Sequence, residues 1–516
     1  MTSREVLSMS ITAAVRRAAM IAPAALAYRE GDTPVVWSQA CVRIASLAAA
    51  LRRSGLQPGD RVATLSGNSA RHLEAIYATW WAGGIVVPVN TRLAHGEIRY
   101  ILDHSGSTLL LADGENHADA ERVAALSQSA IGVVNLDEDD RYNEMLCNEA
   151  IPDTYPAADS TAGIFYTGGT TGTPKGVELT HANFLFAAMG ANREIRLDHK
   201  SVYQHAAPLF HLADFCIGNG VTLAAGTHSF VEKFSPESFY NGLREDKVTH
   251  VCLVPTMLAT VLDAEIRDDA LLKQVESITY GAAPISTSLL KQVIATFPSA
   301  RLQQFYGMTE CCGASTVLVS ERHVDGPDGP AKLDSAGRPF LGCELRVVDT
   351  DFEDVVSGTA GEIVMRGPHI MRGYWNDPTR TEDVFKDGWL RSGDVGVLDE
   401  EGFVHVVDRL KDMIVTGGEN VYSGEVENAL ATHPAVTHCA VVGVPDERWG
   451  ECVHAVVVVR PDSDADANTF DTYLRERIAG YKVPRSYELN RTELPLTAVG
   501  KIRKSVLREE WTISNG

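Results

Sequence analysis

Basic residues are in short supply in this chain of 516 residues. Lys and Arg number 46 against 68 Asp and Glu, a formal net charge of −22, whereas binding to nucleic acid or to an anionic membrane rests on cationic patches that release counterions. Any phosphate held here is therefore held locally. Long apolar runs are missing too: nothing reaches the roughly 18 residues of a membrane span. Near the start, AAVRRAAMIAPAALAY imitates a signal peptide, but proline breaks its apolar run and no convincing cleavage site precedes TPVVWSQA. It is expected to form an ordinary first helix. The nine cysteines contain no C-x-x-C pair, which points to a reducing, cytoplasmic compartment, with the adjacent Cys311 and Cys312 as core or pocket lining rather than a disulfide. No H-E-x-x-H supports zinc chemistry and no G-x-S-x-G supports a serine hydrolase. Gly218-x-Gly220 lacks the third glycine of a dinucleotide fingerprint.

What is present stands out against that background. YTGGTTGTPKG, Tyr166 to Gly176, puts four glycines, four threonines and a lysine directly after the apolar run AGIF. Glycines let backbone N–H groups turn toward an anion without a Cβ in the way, the hydroxyls of Thr167, Thr170, Thr171 and Thr173 add donors, and Lys175 adds a charge. The residues Thr167, Gly168, Gly169, Thr170, Thr171, Gly172 and Lys175 are thus candidates to hold a polyphosphate. A nucleotide-kinase loop would read G-x-x-x-x-G-K-[ST], so the hydroxyl after the lysine that would hold magnesium is absent and the loop is of another kind.

Along the chain, residues 36 to 160 alternate helical and β-rich signals: a helix through CVRIASLAAALRRSG, a strand at RVATLS, a helix at RHLEAIYATWWAGG, and strands at IVVPV and TLLLAD. The alternation resumes after the glycine-threonine loop, with THANFLFAAMGANRE helical, HVCLVP a strand, PTMLATVLDAEI helical and SITYGAAP a strand ending in a turn. This pattern predicts an α/β body with parallel sheets. From about Gly337 short strands follow one another (CELRVVDT, GEIVMRG, GFVHVVDRL), as in a β-rich subdomain. A last α+β segment begins after TGGEN.

Five stretches together carry a resemblance. YTGGTTGTPKG, QFYGMTE (Gln304 to Glu310), WLRSGDVG (Trp389 to Gly396), DRLKDMIVTGGEN (Asp408 to Asn420) and LTAVGKI (Leu496 to Ile502) resemble, in order and spacing, the motifs of the adenylate-forming superfamily, in its acyl-CoA synthetase branch. The resemblance covers nearly the whole chain. It implies a large N-terminal adenylation domain over residues 1–409, a small mobile lid over 410–516, and ATP-dependent conversion of a carboxylate to a CoA thioester through an acyl-adenylate. By the same resemblance Thr309 and Glu310 contact the phosphates and magnesium, and Tyr306 stacks on adenine. Ala282, Gly307 and Met308 line the nucleotide and acyl sites, Asp394 accepts both ribose hydroxyls, and Arg409 lies near the ribose. Lys501 is the lysine brought in for adenylation and Lys411 the hinge of the lid. Gly417 and Gly418 are the residues that pass the pantetheine arm of CoA. ATP, Mg2+ and CoA are the expected cofactors. Two departures from the family's usual pattern are Gly168, where serine is common, and Ala498-Val499, where Thr-Gly is common; neither removes a charge.

The acid is less legible. PLFH, Pro208 to His211, resembles the stretch bordering the acyl pocket, where amino-acid-activating relatives carry an aspartate at the place of His211; an α-amino acid is therefore not expected. His211 reads either as a satisfied core histidine or as a gate between the ATP site and the pocket, and the gate is preferred. The small apolar residues around Tyr280 to Ala283 and Cys311 to Gly313 suit an apolar acid. Ala213, at a position often aromatic in aryl-acid ligases, tilts the expectation toward a medium- or long-chain fatty or bulky acid. An aryl acid of the cinnamate or benzoate type is the alternative, and a non-catalytic adenylate-binding homologue the non-enzyme reading. Asp214 is an acid the sequence does not explain, helix capping being the bland reading. The expected partner is a small-molecule carboxylic acid, without nucleic acid or an integral membrane segment; a homodimer is the assembly considered.

Overall fold

The computed structural model describes residues 9–167, 174–327, 329–490, 493–496 and 502–515. It divides into two compact units, one formed by Met1–Leu345 with Met365–Leu390, the other by Arg346–Val364 with Arg391–Gly516. The α/β reading of the sequence holds, and among the described residues no helix is long and apolar enough to cross a membrane.

The first unit holds two large sheets. In the seven-stranded one the order is Gly373–Tyr374, Lys175–Thr180, Thr161–Thr167, Ile85–Pro88, Arg61–Leu65, Ser107–Ala112, Gly132–Asn135. Its middle strands run parallel and read as continuous apolar stretches because both faces are covered. Val62, Val86, Leu110 and Ile164 are fully buried there. The helix Ala70–Trp81 starts where Ser69 accepts the His72 N–H, and His181–Ile195 starts where Thr180 accepts the Asn183 N–H, so the polar residues before each apolar run end the strand and begin the helix.

The nine-stranded sheet runs Arg338–Pro339, Thr316–Leu318, Arg301–Tyr306, Ser277–Gly281, His250–Leu253, Val202–His205, Thr227–Phe230, Leu26–Glu30, Thr33–Val36. Its strands from Arg301–Tyr306 through Leu26–Glu30 pair in parallel. One expectation needs correcting here. The stretch expected as a single first helix is helical only over Ala13–Ile21; after Pro23 the chain becomes the strand Leu26–Glu30, paired with Thr33–Val36. Proline removes a helix donor and disfavours the α conformation before it, and LAY offers the strand a buried Ala27 and Tyr28.

In the second unit, Val436–Asp446 and Gly450–Val459 form a long antiparallel pair, with Ser486–Asn490 parallel to the latter and Ile414–Thr416 beside its start. Alternating side chains split this valine-rich pair between two cores. Val441, Val453, Ala455 and Val457 pack with Val426, Leu430, Phe470 and Leu474, while Ala440, Val442, Val444 and Val456 pack with Leu507. Covering both faces is what lets AVVGV and VHAVVVV dispense with polar alternation.

Candidate functional site

The glycine-threonine stretch connects two antiparallel strands, Thr161–Thr167 and Lys175–Thr180, with Thr167 directly opposite Lys175. Gly168, Gly169, Thr170, Thr171 and Gly172 lie outside the described residues, as does Lys501; both ends of the loop are described. Tyr166 is hydrogen-bonded through its hydroxyl to His104 Nδ1 at 2.8 Å, which ties the incoming strand to the helix His95–Ser105. On the outgoing side the Lys175 ammonium lies 4.9 Å from the centre of the Tyr374 ring. Tyr374 in turn donates to Glu310 Oε1 at 2.8 Å.

Glu310 is shielded from solvent. Only 7% exposed, it sits on the single turn Thr309–Cys311 that follows the strand Arg301–Tyr306. The turn is closed by bonds from Cys312 and Gly313 N–H to the Thr309 and Met308 carbonyls, and Ser315 N–H bonds the Tyr306 carbonyl. Gly307 is where this loop crosses itself: a Cβ there would lie 2.6 Å from Ala314 Cα and 2.7 Å from Gly313 O, backbone atoms that cannot step aside. The result is a half-buried ledge, Tyr306 to Thr309, with Glu310 behind it. Burial and the neighbouring Glu310 charge raise the Tyr374 pKa, so its hydroxyl remains a donor.

These segments share one location in the topology. Tyr306 ends a strand whose parallel neighbour Ser277–Gly281 leads into Ala282, held at φ +63°. His211 follows Val202–His205, and the threonine loop follows Thr161–Thr167 in the other sheet. In open α/β sheets the carboxyl ends of parallel strands are where ligands bind, because there the loops diverge and leave a crevice. His211 is half-buried at the N-terminal boundary of the helix Leu212–Ala224, its ring 4.7 Å from that of Phe210.

Asp214 departs from the capping reading. It lies in the first turn of that helix, but its side chain turns away from the helix terminus into the core, where Oδ1 accepts from the Tyr203 hydroxyl at 2.8 Å and Oδ2 lies 2.5 Å from His205 Nδ1. The chain continues from His205 Nε2 to His228 Nδ1 at 2.8 Å and from His228 Nε2 to Thr222 Oγ1 at 3.1 Å. All five residues are buried. A carboxylate with no solvent must be satisfied from inside, and this polar string does it. The nine cysteines are free thiols. Cys311 and Cys312 are buried, and Cys216 Sγ lies 3.1 Å from the Cys312 carbonyl oxygen.

The second unit carries its own part of the motif set. Asp394 stands within the strand Trp389–Leu398, not at a helix terminus, and faces Arg409 across the antiparallel pair with Nε 3.3 Å from Oδ1. Its backbone is set by Ser392, whose hydroxyl accepts the Asp394 N–H and donates to the Ile363 carbonyl. Arg391 forks onto Glu362 at 2.7 and 2.9 Å. Lys411 is exposed in a tight turn, where the Asp412 and Met413 N–H groups bond the Arg409 carbonyl, and Asp412 pairs with Arg508 at 3.0 Å. Gly417 and Gly418 follow with φ of +61° and +85°; a Cβ on Gly417 would lie 2.7 Å from the Trp449 ring. Tyr374, Ser392, Glu362 and Trp449 were not singled out from the sequence, since nothing local marks a tyrosine 64 residues beyond its carboxylate.

A parallel-sheet body with a Gly/Thr hairpin, a buried glutamate behind an aromatic-glycine ledge, and a separate aspartate-arginine strand pair together define an enzyme that activates a group through a nucleotide. Family comparison agrees. The AMP-binding enzyme profile matches residues 15–375 and the AMP-binding enzyme C-terminal domain matches residues 425–501, and the chain belongs to this family of adenylate-forming enzymes, as an acyl-CoA synthetase. Among its relatives is the feruloyl-CoA synthase of Amycolatopsis sp, 39% identical over 96% of this chain and 98% of that protein. The fatty acid–[acyl-carrier-protein] ligase ScoC of Streptomyces coeruleorubidus is 34% identical over 90% and 89%. Of solved structures, ATP-bound MatB from Rhodopseudomonas palustris superposes with a TM-score of 0.88 at 28% identity, covering 98% of this chain and 99% of MatB. MenE from Bacillus subtilis with the acyl-adenylate OSB-AMP gives 0.83 at 30% identity, covering 96% and 97%. ATP is accordingly the nucleotide of this family and of this chain.

Proposed function

We propose that the enzyme joins an apolar carboxylic acid to CoA in two steps, first forming acyl-AMP and pyrophosphate and then acyl-CoA and AMP, and that its acid is an aryl acid of the substituted-cinnamate type. The observation that carries the chemistry is the Lys175–Tyr374–Glu310 cluster, which brings a cation and a buried carboxylate to the outgoing end of the threonine loop. The acid assignment rests on 39% identity to feruloyl-CoA synthase across nearly the full length of both chains. That identity supports the aryl alternative over the fatty acid; the second reading, a fatty acid, draws support from the 34% identity to ScoC and from Ala213.

A carboxylate approaching the α-phosphate of ATP at about 4 Å meets about 4 kcal/mol of repulsion at an effective dielectric near 20. The residues here offset it with charge and donors placed in advance. Lys175 and the loop amides hold the phosphates, and Thr309 adds a hydroxyl. Glu310 suits Mg2+, which is bound through one or two carboxylates plus substrate phosphates and needs no cage of side chains; among the described residues no cluster of three or more His, Cys, Asp or Glu forms such a cage. Bound there, the ion would neutralise developing phosphate charge. Tyr306 offers its ring to adenine, with Ala282, Gly307 and Met308 beside it, and Asp394 and Arg409 hold the ribose.

Lys501 acts in the first step as the lysine brought to the reacting carboxylate, and the exposed turn at Lys411 is the hinge by which residues 410–516 turn so that Gly417 and Gly418 meet the CoA arm. His211 gates the passage to the acyl pocket. A pyrophosphate-release screen decides the acid, using ferulate, coumarate, benzoate, 2-succinylbenzoate and fatty acids of short, medium and long chain with and without CoA. Ferulate or coumarate is expected to give the highest kcat/KM; a maximum at a fatty acid would move the assignment to the second reading.

A further inference from the structure

The hydroxyl and the ring of Tyr374 are engaged at the same time, by two residues far apart in the chain. Oη donates to Glu310 Oε1 at 2.8 Å, and the ring face carries the Lys175 ammonium at 4.9 Å from its centre. The hydroxyl contact is buried on both sides. Tyr374 is 5% exposed and Glu310 is 7% exposed. Gly373–Tyr374 pairs with the strand that begins at Lys175, Tyr374 opposite Val177 and Gly373 opposite Glu178, and the Trp375 N–H bonds the Gly176 carbonyl at 2.7 Å. On the other side the Met371 N–H bonds the Glu310 carbonyl at 2.9 Å. The backbone from Met371 to Trp375 therefore staples the glutamate turn to the lysine strand, with Tyr374 between the two charges.

A glutamate carboxylate spins easily about its last bond, since that torsion is broad and roughly two-fold. Here one oxygen is taken. Oε1 has the tyrosine donor, and among the described residues Glu310 forms no ion pair and Oε2 has no hydrogen-bond partner. A neutral donor leaves the carboxylate's charge in place while fixing its plane, so the second oxygen is presented with a set direction. The aromatic face attracts the ammonium through its quadrupole without neutralising it.

We propose that Tyr374 is a positioning residue for adenylation: through its hydroxyl it aims Glu310 Oε2 at the magnesium-bound phosphates, and through its ring it holds Lys175 at the outgoing end of the phosphate loop. This rests on the assignment of Glu310 to the phosphate and magnesium site. A tyrosine that merely fills the core would support stability alone. A positioning tyrosine moves the magnesium and ATP dependence without moving the acid.

Tyr374→Phe keeps the ring over Lys175 and removes the donor. In acid-dependent exchange of labelled pyrophosphate into ATP, the Mg2+ concentration for half-maximal rate and the KM for ATP are expected to rise about tenfold, the scale of losing one hydrogen bond to a charged group, while the acid KM stays within about twofold. Placed on Glu310→Gln, the same change should cost less than about twofold more, because its target is already impaired. Comparing 4-aminophenylalanine with its isostere 4-methylphenylalanine at position 374 supplies the test should Phe fail to fold: the amino variant, which still donates, should stay near the wild-type Mg2+ requirement and the methyl variant should not. An unchanged Mg2+ requirement in Tyr374→Phe, an equal rise in the acid KM, full additivity with Glu310→Gln, or identical amino and methyl variants would each overturn the proposal. Wild-type enzyme that exchanges no pyrophosphate with any acid overturns the underlying assignment instead, which keeps the two failures apart.

Discussion

Asp394 and Arg409 face one another across two antiparallel strands, Arg409 Nε lying 3.3 Å from Asp394 Oδ1, with the arginine half-exposed and the aspartate nearly covered. Among the described residues this is the one ion pair of the Arg409 side chain, which is half-exposed, while the strand Trp389–Leu398 carries Asp394. Asp394→Ala removes the carboxylate proposed to accept two ribose hydroxyls and is expected to lower kcat/KM for ATP by about 10–100-fold, the cost of hydrogen bonds to a charged group, with the acid KM little changed. Pyrophosphate exchange at varied ATP measures it. An ATP KM indistinguishable from wild type would detach Asp394 from the nucleotide.

The Tyr203–Asp214–His205–His228–Thr222 string is a structural element and its removal should register as stability. Asp214→Ala leaves His205 and the Tyr203 hydroxyl without their buried partner, for which about 3 kcal/mol is the ordinary scale. Urea unfolding should show a lower midpoint with an unchanged slope, and the ATP KM of the folded fraction should not move. A midpoint equal to wild type would mean that water satisfies the string.

Acid sensitivity follows from a set of buried histidines. His72, His181, His250, His323 and His369 all have pKa values pushed down to about 4 by burial. Unfolded, each titrates near 6.5, so between pH 6.5 and about 4 the unfolded chain binds more protons than the folded one, and stability falls as pH is lowered through that window. Each group contributes at most about 1.4 kcal/mol per pH unit there. The urea midpoint should be nearly flat above pH 6.5 and drop below it, and His369→Gln should flatten the drop. An equally steep drop in His369→Gln would remove that residue from the account.

The lid assignment separates the two half-reactions. Lys501→Ala should slow adenylation by about a hundredfold or more, the scale of losing one transition-state electrostatic contact, yet still convert added acyl-AMP and CoA to thioester. Lys411→Pro fixes φ near −65° and should depress thioester formation far more than pyrophosphate exchange, with Lys411→Ala as control. Parallel losses in both assays would assign these residues to folding.

Much of the candidate site was legible because its motifs are local. The threonine loop, the Tyr306–Glu310 ledge and the Asp394 strand each announce themselves within a dozen residues, and the strands at Arg61–Leu65, His250–Leu253 and Gly450–Val459 fall where apolar runs placed them. Legibility failed where partners are remote. Tyr374 reads as one aromatic in RGYWND until the fold sets it against Glu310, and Asp214 reads as a cap because its partners Tyr203 and His205 arrive from another strand. The chain after Pro23 was misread since AALAY has no alternation of its own; its strand exists because Thr33–Val36 and Thr227–Phe230 flank it.

The central claim is that the acid's own oxygen attacks the α-phosphate of ATP. Turnover of ferulate labelled with 18O in its carboxylate, in the presence of ATP, Mg2+ and CoA, tests it directly by mass spectrometry of the nucleotide product. The account requires AMP carrying one 18O atom, released with pyrophosphate. Thioester formed with unlabelled AMP, or with ADP in place of AMP, would contradict it.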